Sequence, residues 1–229
     1  MDREYILRLL HAQVNINGHI VGAAVGSGMT AKYAVMGGSD FVMALSAGKY
    51  RVMGRSSYAS YFCYGNSNQT VMELGTRELL PVIQEVPVLF GLFASDPEIH
   101  LYEYLKMIKE NGFSGIVNYP TMSLIALEEE GNTYQKEVEA IRLAHYYDLF
   151  TVAFVTNAEE SELMIEAGAD VICAHLGLTK GGYLGAKNVL SIQDGKKLTD
   201  EIFEVCMKKN PDALRMIYAG PASTPIDMQ

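Results

Sequence analysis

The sequence lacks the features that define several protein classes. It has only three cysteines in 229 residues, Cys63, Cys173 and Cys206, and no Cys-x-x-Cys pair. Such a set predicts neither a disulfide framework nor a zinc knuckle, and it fits a reducing cytoplasm. No apolar run is long enough to span a bilayer, and the first residues do not begin a signal peptide. These absences predict a cytoplasmic globular protein that does not bind membranes.

Positive charge is also scarce. Lys and Arg number 18 against 27 Asp and Glu, which gives a net charge of −9. Without a basic tail, this balance argues against nucleic-acid binding. The composition is ordinary for a globular protein and excludes disorder, collagen and coiled coil. Because no linker-like segment divides the chain, we expect a single domain over residues 1–229.

Seven short runs rich in aliphatic and aromatic residues show little polar alternation, which is typical of parallel strands covered on both faces. They are His19–Val25, Phe41–Ser46, Val88–Phe93, Gly115–Tyr119, Phe150–Val155, Val171–Leu176 and Leu214–Ala219. Helical patterns separate them, with predicted starts at Asp96-Pro97, Asn157 and Ser191. This alternation predicts a parallel α/β fold, either a TIM (β/α)8-type barrel whose eighth βα unit is missing or a doubly wound sheet.

Two loops reverse the overall charge. Residues 41–72 and 171–193 contain no Asp or Glu, and each segment leaves the carboxyl end of a predicted strand. The first carries Lys49, Arg51 and Arg55, and the second carries His175, Lys180 and Lys187. Cations at that end of a parallel sheet predict a site for a small phosphorylated or carboxylated ligand. The alternative is a chance grouping on solvated loops.

A glycine-rich turn, Gly26-Ser27-Gly28, follows the first strand. Backbone amides at such a helix start can hold an anion. The turn is not a Walker A loop, and the acid that a dinucleotide site requires about twenty residues later is missing. A tight turn that requires small residues is the alternative.

Two strand ends carry candidates for proton transfer. Asp96 and His175 could act as general base and acid, with Asn118 and Thr121 orienting the substrate or a water. The alternatives are a helix N-cap for Asp96 and a buried structural histidine at position 175. Asp170 precedes its strand and is assigned to the opposite, stabilising end.

The sequence does not define a cofactor. No His/Glu spacing matches a zinc motif, and a divalent metal such as Mg²⁺ is compatible with the sequence but unsupported by it. Asn66 and Asn68 either cap the following helix or reach a ligand. The aromatic loop, defined by Tyr58, Tyr61, Phe62 and Tyr64, predicts a lid or a subunit contact, and hence a homo-oligomer.

Several longer strings stand in a characteristic order. They are Gly26-Ser-Gly-Met-Thr-Ala-Lys32, Ser46-Ala-Gly-Lys-Tyr-Arg-Val-Met-Gly-Arg-Ser56, Ala94-Ser-Asp-Pro97, Gly112-Phe-Ser-Gly-Ile-Val-Asn-Tyr-Pro-Thr121, Glu137-Val-Glu-Ala-Ile-Arg-Leu-Ala-His145, Ala167-Gly-Ala-Asp170, and Ala174-His-Leu-Gly-Leu-Thr-Lys-Gly-Gly182 with Gly185-Ala-Lys187. Together they resemble the phosphoenolpyruvate hydrolase-like family, also called the TIM-barrel signal-transduction domain, over nearly the whole chain.

The resemblance implies a TIM barrel and a phosphoenolpyruvate hydrolase-like enzyme, or a small-molecule-sensing barrel. The positions that match the family at strand ends are Arg51, Arg55, Asp96, Asn118, Thr121, His175, Thr179 and Lys187. The chain departs from the family at Ser46-Ala47 and at Tyr218-Ala219-Gly220-Pro221, where the family has Asn-Ser and His-Gly-Gly-Pro. We include Ser46, the last residue of predicted strand two, and Gly220, which follows predicted strand seven, among the predicted binding residues.

Overall fold

A computed structural model describes residues 1–62, 64–125 and 134–228, so Cys63 lies outside the described residues. Seven parallel strands form one sheet in chain order, and each strand pairs with its neighbours in the sequence. The strands are β1 Gly22–Val25, β2 Phe41–Ala44, β3 Val88–Leu92, β4 Gly115–Asn118, β5 Phe150–Val155, β6 Val171–His175 and β7 Leu214–Tyr218. The predicted alternation of strands and helices is confirmed.

Among the described residues there are eight α-helices, none of which is long and apolar enough to cross a membrane. They are α1 Arg3–Asn17, α2 Gly28–Met36, α3 Ser46–Val52, α4 Ser67–Leu74, α5 Leu101–Glu110, α6 Tyr134–Ala144, α7 Ala158–Glu166 and α8 Ile192–Lys209. Short 3-10 turns occupy Ser57–Ser60, Met122–Ile125, His145–Tyr147 and Pro225–Met228, and a π-helical turn occupies Gly75–Leu79.

Local signals set most element boundaries. Asn157 and Ser191 accept hydrogen bonds from the backbone N–H three residues later, which confirms the predicted starts of α7 and α8. The first strand begins three residues later than predicted because Gly18, with φ 78°, ends α1 and an exposed linker follows.

The predicted helix start at Asp96-Pro97 is wrong. Helix α5 begins at Leu101, and His100 before it makes no side-chain cap. The Asp96 carboxylate instead accepts the backbone N–H of Glu98 at 2.9 Å, which closes a turn ahead of the helix. Asp96-Pro97 therefore forms a local turn and does not cap the helix.

The sheet is curled. Side chains of β2, β5 and β6 alternate between an inner apolar cluster and an outer layer packed against the helices. The rings of Phe41 on β2 and Phe150 on β5 are 6.3 Å apart, whereas strands three places apart in a flat sheet lie about 14 Å apart. A Cβ at Gly22 on β1 would lie 3.2 Å from Cε of Met216 on β7. In the part of the chain that the structure describes, no hydrogen-bonded ladder joins β7 to β1.

Helix α1 packs against the interior of the curled sheet. Its Ile6 and Leu10 belong to the inner apolar cluster. Its Arg3 guanidinium donates from Nε and Nη2 to the Asp170 carboxylate at 2.7–3.0 Å, and Asp170 also accepts the backbone N–H and hydroxyl of Thr151. Asp170 stands immediately before β6, so its predicted stabilising place at the amino ends of the strands is confirmed.

Candidate active site

A cleft of about 200 Å³ lies at the carboxyl ends of β2 and β6. Arg51 from α3 and Lys187 from the loop after β6 both line it, and Arg51 Nη1 donates to the carbonyl oxygen of Leu184 at 2.9 Å. The other lining residues are Ser56, Ser57, Tyr58, Leu178, Leu184, Gly185 and Ala186. The structure therefore brings together two of the predicted cations from distant parts of the sequence.

The other cations of the first loop have different partners. Lys49 forms an ion pair with Glu78, and this hydrogen bond lowers the pKa of the Glu78 carboxyl. The Arg55 guanidinium lies 5.7 Å from the centre of the Tyr64 ring, a cation–π contact. Neither side chain lines the cleft. Of the three cations predicted to act together in this loop, Arg51 alone lies there.

The glycine-rich turn is built by internal contacts. Ser27 caps α2 in a capping box, and a Cβ at Gly26 would lie 2.0 Å from the carbonyl oxygen of Gly48, so a side chain there would clash with backbone. The backbone N–H of Gly28 donates to the Glu78 carboxylate at 3.3 Å. The carboxylate at this helix start is thus part of the protein, and the geometry favours the tight-turn alternative.

Ser46 is fully buried and joins three elements. Its hydroxyl accepts a hydrogen bond from Ser67 of α4 at 2.7 Å and donates to Ser60 at 3.0 Å. Ser60 ends the 3-10 turn in the aromatic loop. The predicted binding residue Ser46 therefore anchors this loop to α3 and α4.

The two loops after β6 and β7 are tied together by backbone. Gly220, with φ 64°, donates its N–H to the carbonyl of Gly177, and its own carbonyl accepts from Lys180, both at 3.1 Å. The Thr179 carbonyl accepts from the N–H of Ala186 at 2.9 Å. Gly220 and Thr179 thus shape the loop that carries Lys187, and their predicted contacts with substrate stay predictions.

The polar residues after β4 are organised by Glu137, which the sequence analysis did not single out. Asn118 Nδ2 donates to Glu137 at 2.6 Å, and the backbone N–H of Met122 donates to the other carboxyl oxygen at 2.7 Å. The Asn118 amide also exchanges two hydrogen bonds with the backbone of Phe154. Thr121 is fully buried beside them. Asn118 and Thr121 therefore hold the loop after β4, and their predicted contacts with substrate stay predictions.

Burial raises the pKa of Glu137 to about 8, although the hydrogen bonds from Met122 and Asn118 oppose the rise. A signal for this residue exists in the sequence. Glu137 lies between Tyr134 and Ile141 on the apolar side of an amphipathic helix, where a carboxyl must be buried.

An aromatic cluster occupies the carboxyl ends of β4 to β7. It consists of Tyr61, Tyr119, Phe154, His175 and Tyr218, whose neighbouring ring centres lie 4.9–6.2 Å apart. Burial lowers the pKa of His175 to about 4, so its imidazole is neutral at pH 7. Burial raises the pKa of Tyr119 to about 12 and that of Tyr218 further, and the charge of Arg51 opposes both rises.

Asp96 lies in different surroundings from His175. Its Oδ2 accepts from the side-chain amides of Asn66 at 2.9 Å and Asn68 at 3.0 Å, beside a groove between α4 and α5. Asn66 also caps α4, as predicted. The structure does not bring Asp96 and His175 into contact with a common cavity, and the proton-transfer role of Asp96 stays a prediction.

The described residues at this end of the sheet do not fit a metal ion. The Asp96 carboxylate already accepts three protein N–H groups. Among the described residues, no three His, Cys, Asp or Glu side chains are grouped to ligate a metal. We therefore assign no step to a metal.

The profile of the family described as phosphoenolpyruvate hydrolase-like matches residues 5–229. The chain belongs to the phosphoenolpyruvate hydrolase-like family. This membership agrees with the ordered strings in the sequence, which include Arg51, His175 and Lys187.

Two longer proteins share the family segment. The chain is 37% identical over 229 residues to the ToMV susceptible protein tm-1(GCR26) of Solanum lycopersicum, covering 97% of this chain and 30% of that protein. It is 35% identical to the putative transcriptional regulatory protein y4pA of Sinorhizobium fredii (strain NBRC 101917 / NGR234), covering 98% of this chain and 38% of that protein. The chain thus spans about a third of the length of these relatives.

Solved structures share the fold of this family member. Phosphoenolpyruvate phosphomutase from Streptomyces platensis subsp. rosaceus superposes with a TM-score of 0.59 at 13% identity, covering 93% of this chain and 80% of that one. Phosphonopyruvate hydrolase in complex with oxalate and Mg²⁺ superposes with a TM-score of 0.56 at 17% identity, covering 96% and 81%. At these identities the likeness concerns the fold.

Proposed function

We propose that this chain is a cytoplasmic, phosphoenolpyruvate hydrolase-like enzyme on a TIM-barrel-type fold, acting on a small phosphorylated or carboxylated metabolite. The observation that carries the proposal is the shared cleft of Arg51 and Lys187 at the carboxyl ends of the strands. This is the end at which parallel α/β folds bind ligands. His175, in the adjoining aromatic cluster, is the candidate catalytic residue.

The size of the cleft and the neighbouring structures support the substrate class. A volume of about 200 Å³ suits a metabolite of a few carbon atoms better than a nucleotide. The structural neighbours include phosphonopyruvate hydrolase in complex with oxalate, and oxaloacetate acetylhydrolase in complex with the inhibitor 3,3-difluorooxalacetate, so their compounds are phosphonopyruvate, oxalate and 3,3-difluorooxalacetate. All three carry a carboxylate next to an oxidised carbon, the group that an Arg–Lys pair would hold.

Anion binding tests this proposal. We expect oxalate and phosphonopyruvate to bind in isothermal titration calorimetry, and Arg51→Gln and Lys187→Gln each to weaken binding about 10- to 100-fold. A lost charge-assisted hydrogen bond accounts for this range, since it is worth about 1.5–3 kcal/mol.

Arg8→Gln is the matched control, because Arg8 is exposed on α1 and its ion pair among the described residues is with Glu4. It changes the net charge equally and should leave the affinity within about 2-fold, as expected of exposed pairs. Equal affinities in all three variants would contradict the assignment of the cleft.

A sensing barrel without turnover is the second candidate, favoured by the regulatory name of the y4pA relative. To distinguish the two functions, we would measure the binding of phosphoenolpyruvate and the release of phosphate from it in both the wild type and His175→Asn. An enzyme loses turnover in this variant, whereas a sensor shows no phosphate release in either form.

The aromatic loop offers a surface for self-association. Tyr58, Phe62 and Tyr64 are 51%, 68% and 46% exposed, although large apolar side chains are usually covered. As part of the proposal, we expect a homo-oligomer in light scattering and a smaller species after Tyr58→Ser and Phe62→Ser together. Tyr146→Ser, which removes another exposed ring far along the chain, is the control. An unchanged mass in the double variant would place the contact elsewhere.

A further inference from the structure

The imidazole of His175 has one nitrogen with a partner and one without. Its Nδ1 accepts the backbone N–H of Gly177 at 3.2 Å. Nε2 is buried and has no hydrogen-bond partner, and the residue is only 1% exposed. A neutral imidazole carries a single N–H, so an accepting Nδ1 places the proton on Nε2. His175 therefore presents a buried donor that no protein group uses.

The groups around His175 keep it neutral. Phe154 of β5 and Tyr218 of β7 contact its ring at 5.0 and 5.1 Å, and Cys173 lies two residues earlier on β6. Burial raises the pKa of both Tyr218 and Cys173, so neither is charged near neutral pH. The nearby fixed charge is Arg51, which acts on Tyr218. No carboxylate contacts the ring in the described part of the chain.

A second buried donor belongs to the same cluster. The buried hydroxyl of Tyr61 makes no hydrogen bond of normal geometry, and the polar group that interacts with it is the hydroxyl of Tyr119, whose ring it meets edge-on at 6.2 Å. Burial strongly raises the pKa of Tyr61, so it keeps its proton, and Glu137 adds to this effect. An N–H without a protein acceptor and a buried O–H that faces another hydroxyl suit an oxyanion, which accepts such hydrogen bonds most strongly where water is excluded.

Arg51 connects this cluster to the cleft. Its guanidinium lines the cleft beside Lys187, and its charge also acts on the hydroxyls of Tyr119 and Tyr218. A short molecule whose carboxylate is held by Arg51 would therefore extend toward the aromatic cluster.

We propose that His175 Nε2–H is a neutral hydrogen-bond donor to the oxyanion of a 2-oxo acid or its enolate, with the Tyr61 hydroxyl as the second donor. This inference rests on the proposed function, because Arg51 and Lys187 must hold the carboxylate of the same molecule. In this role His175 transfers no proton. It stabilises the negative charge that develops on the ketone oxygen while a bond at the carbon next to the carbonyl forms or breaks.

Nitrogen-15 NMR of histidine-labelled protein tests the inference directly. The chain has five histidines, so comparison with His175→Gln assigns the signal. We expect His175 to carry its proton on Nε2, to show no titration between pH 5 and 8, and to shift its Nε2–H resonance downfield when oxalate is added. A proton on Nδ1, or titration near pH 6.5, would overturn the inference.

Oxalate as the probe distinguishes the two proposals. In a second sample labelled uniformly with nitrogen-15, oxalate-induced shifts in the Lys187 loop without one at His175 overturn the donor role alone. If oxalate shifts no resonance in the protein, the proposed function fails. A downfield shift at His175 that disappears in Arg51→Gln supports both.

Variants at His175 provide a second readout. His175→Leu removes the donor, and we expect its oxalate affinity to fall at least 10-fold. The variant also leaves the Gly177 N–H without its Nδ1 acceptor, so its melting temperature is expected to fall by a few degrees while the protein stays folded. His175→Gln keeps an N–H and should retain affinity within a few-fold. Wild-type affinity in a folded His175→Leu variant would rule out the donor role.

Discussion

Replacing Glu137 by glutamine is expected to remove a pH dependence from the folding stability. In the folded protein, burial raises the pKa of Glu137 to about 8 from an ordinary value of 4.5. Between these values the unfolded chain has lost the proton that the folded chain still holds. Stability from this residue is therefore complete below about pH 4.5 and is lost as the pH rises toward 8. The full change is on the order of 5 kcal/mol.

The measurement compares denaturant unfolding of wild type and Glu137→Gln from pH 4.5 to 8.5. The difference in unfolding free energy should move in favour of the variant by several kcal/mol across this range. Its absolute value also includes a constant cost, because the glutamine NH₂ meets donors at Asn118 or Met122. The slope with pH therefore carries the test.

Glu139→Gln is the matched control, two residues along the same helix and exposed to solvent. Its difference from wild type should stay constant with pH, since water surrounds the Glu139 side chain in both the folded and the unfolded chain. A flat difference for Glu137→Gln as well would mean that Glu137 is ionised in the folded protein at neutral pH.

The strands could be predicted from the sequence because their burial has a local signature. Runs such as Phe150–Val155 lack polar alternation since both faces of a parallel strand are covered. The Asn157 cap was equally local, because its side chain bonds within its own helix. The helix start predicted at Asp96-Pro97 was wrong because the side-chain partners of Asp96 are not local. Its carboxylate is held by Asn66 and Asn68, thirty and twenty-eight residues away in the chain, and no local pattern shows them.

The candidate site was predictable where charge alone located it. Arg51 and Lys187 stood out because their loops lack acids, and the parallel topology placed both loops at one end. The partners of the other candidates were not predictable. Glu78 forms an ion pair with Lys49 and accepts a hydrogen bond from the backbone N–H of Gly28. No sequence pattern around Glu78 predicts these contacts. Glycine is favoured both in a tight turn and where backbone amides bind an anion. The residue types in the turn Gly26-Ser27-Gly28 therefore could not distinguish between these two interpretations.

The two ends of the curled sheet differ in how their polar groups are used. At the carboxyl ends, Arg51 lines the cleft, and the buried Nε2 of His175 has no hydrogen-bond partner among the described residues. At the amino ends, the Asp170 carboxylate accepts hydrogen bonds from Arg3 and Thr151 at both of its oxygens. Unused buried donors destabilise a fold, so they are expected where a ligand later satisfies them.

This division predicts that Asp170→Ala is strongly destabilising and leaves the ligand site intact. The Asp170 side chain is 2% exposed and accepts hydrogen bonds from the Arg3 guanidinium and from the Thr151 backbone and hydroxyl. Removing it leaves a partly buried guanidinium and a buried N–H without partners. The expected loss in unfolding free energy is about 3–5 kcal/mol, the usual cost of breaking a buried pair from one side. Denaturant unfolding at pH 7 measures it.

Asp200→Ala is the control, because Asp200 is exposed on α8 and, in the part of the chain that the structure describes, pairs with Lys196 one turn away. That variant should lose less than about 1 kcal/mol. Asp170→Asn should fall between the two, since its amide oxygen can still accept from Thr151 while its NH₂ faces Arg3. Oxalate affinity of the folded Asp170→Ala protein should equal that of the wild type, because Asp170 lies at the opposite end of the strands from Arg51. A loss equal to that of Asp200→Ala would show that α1 and β6 hold together without this ion pair.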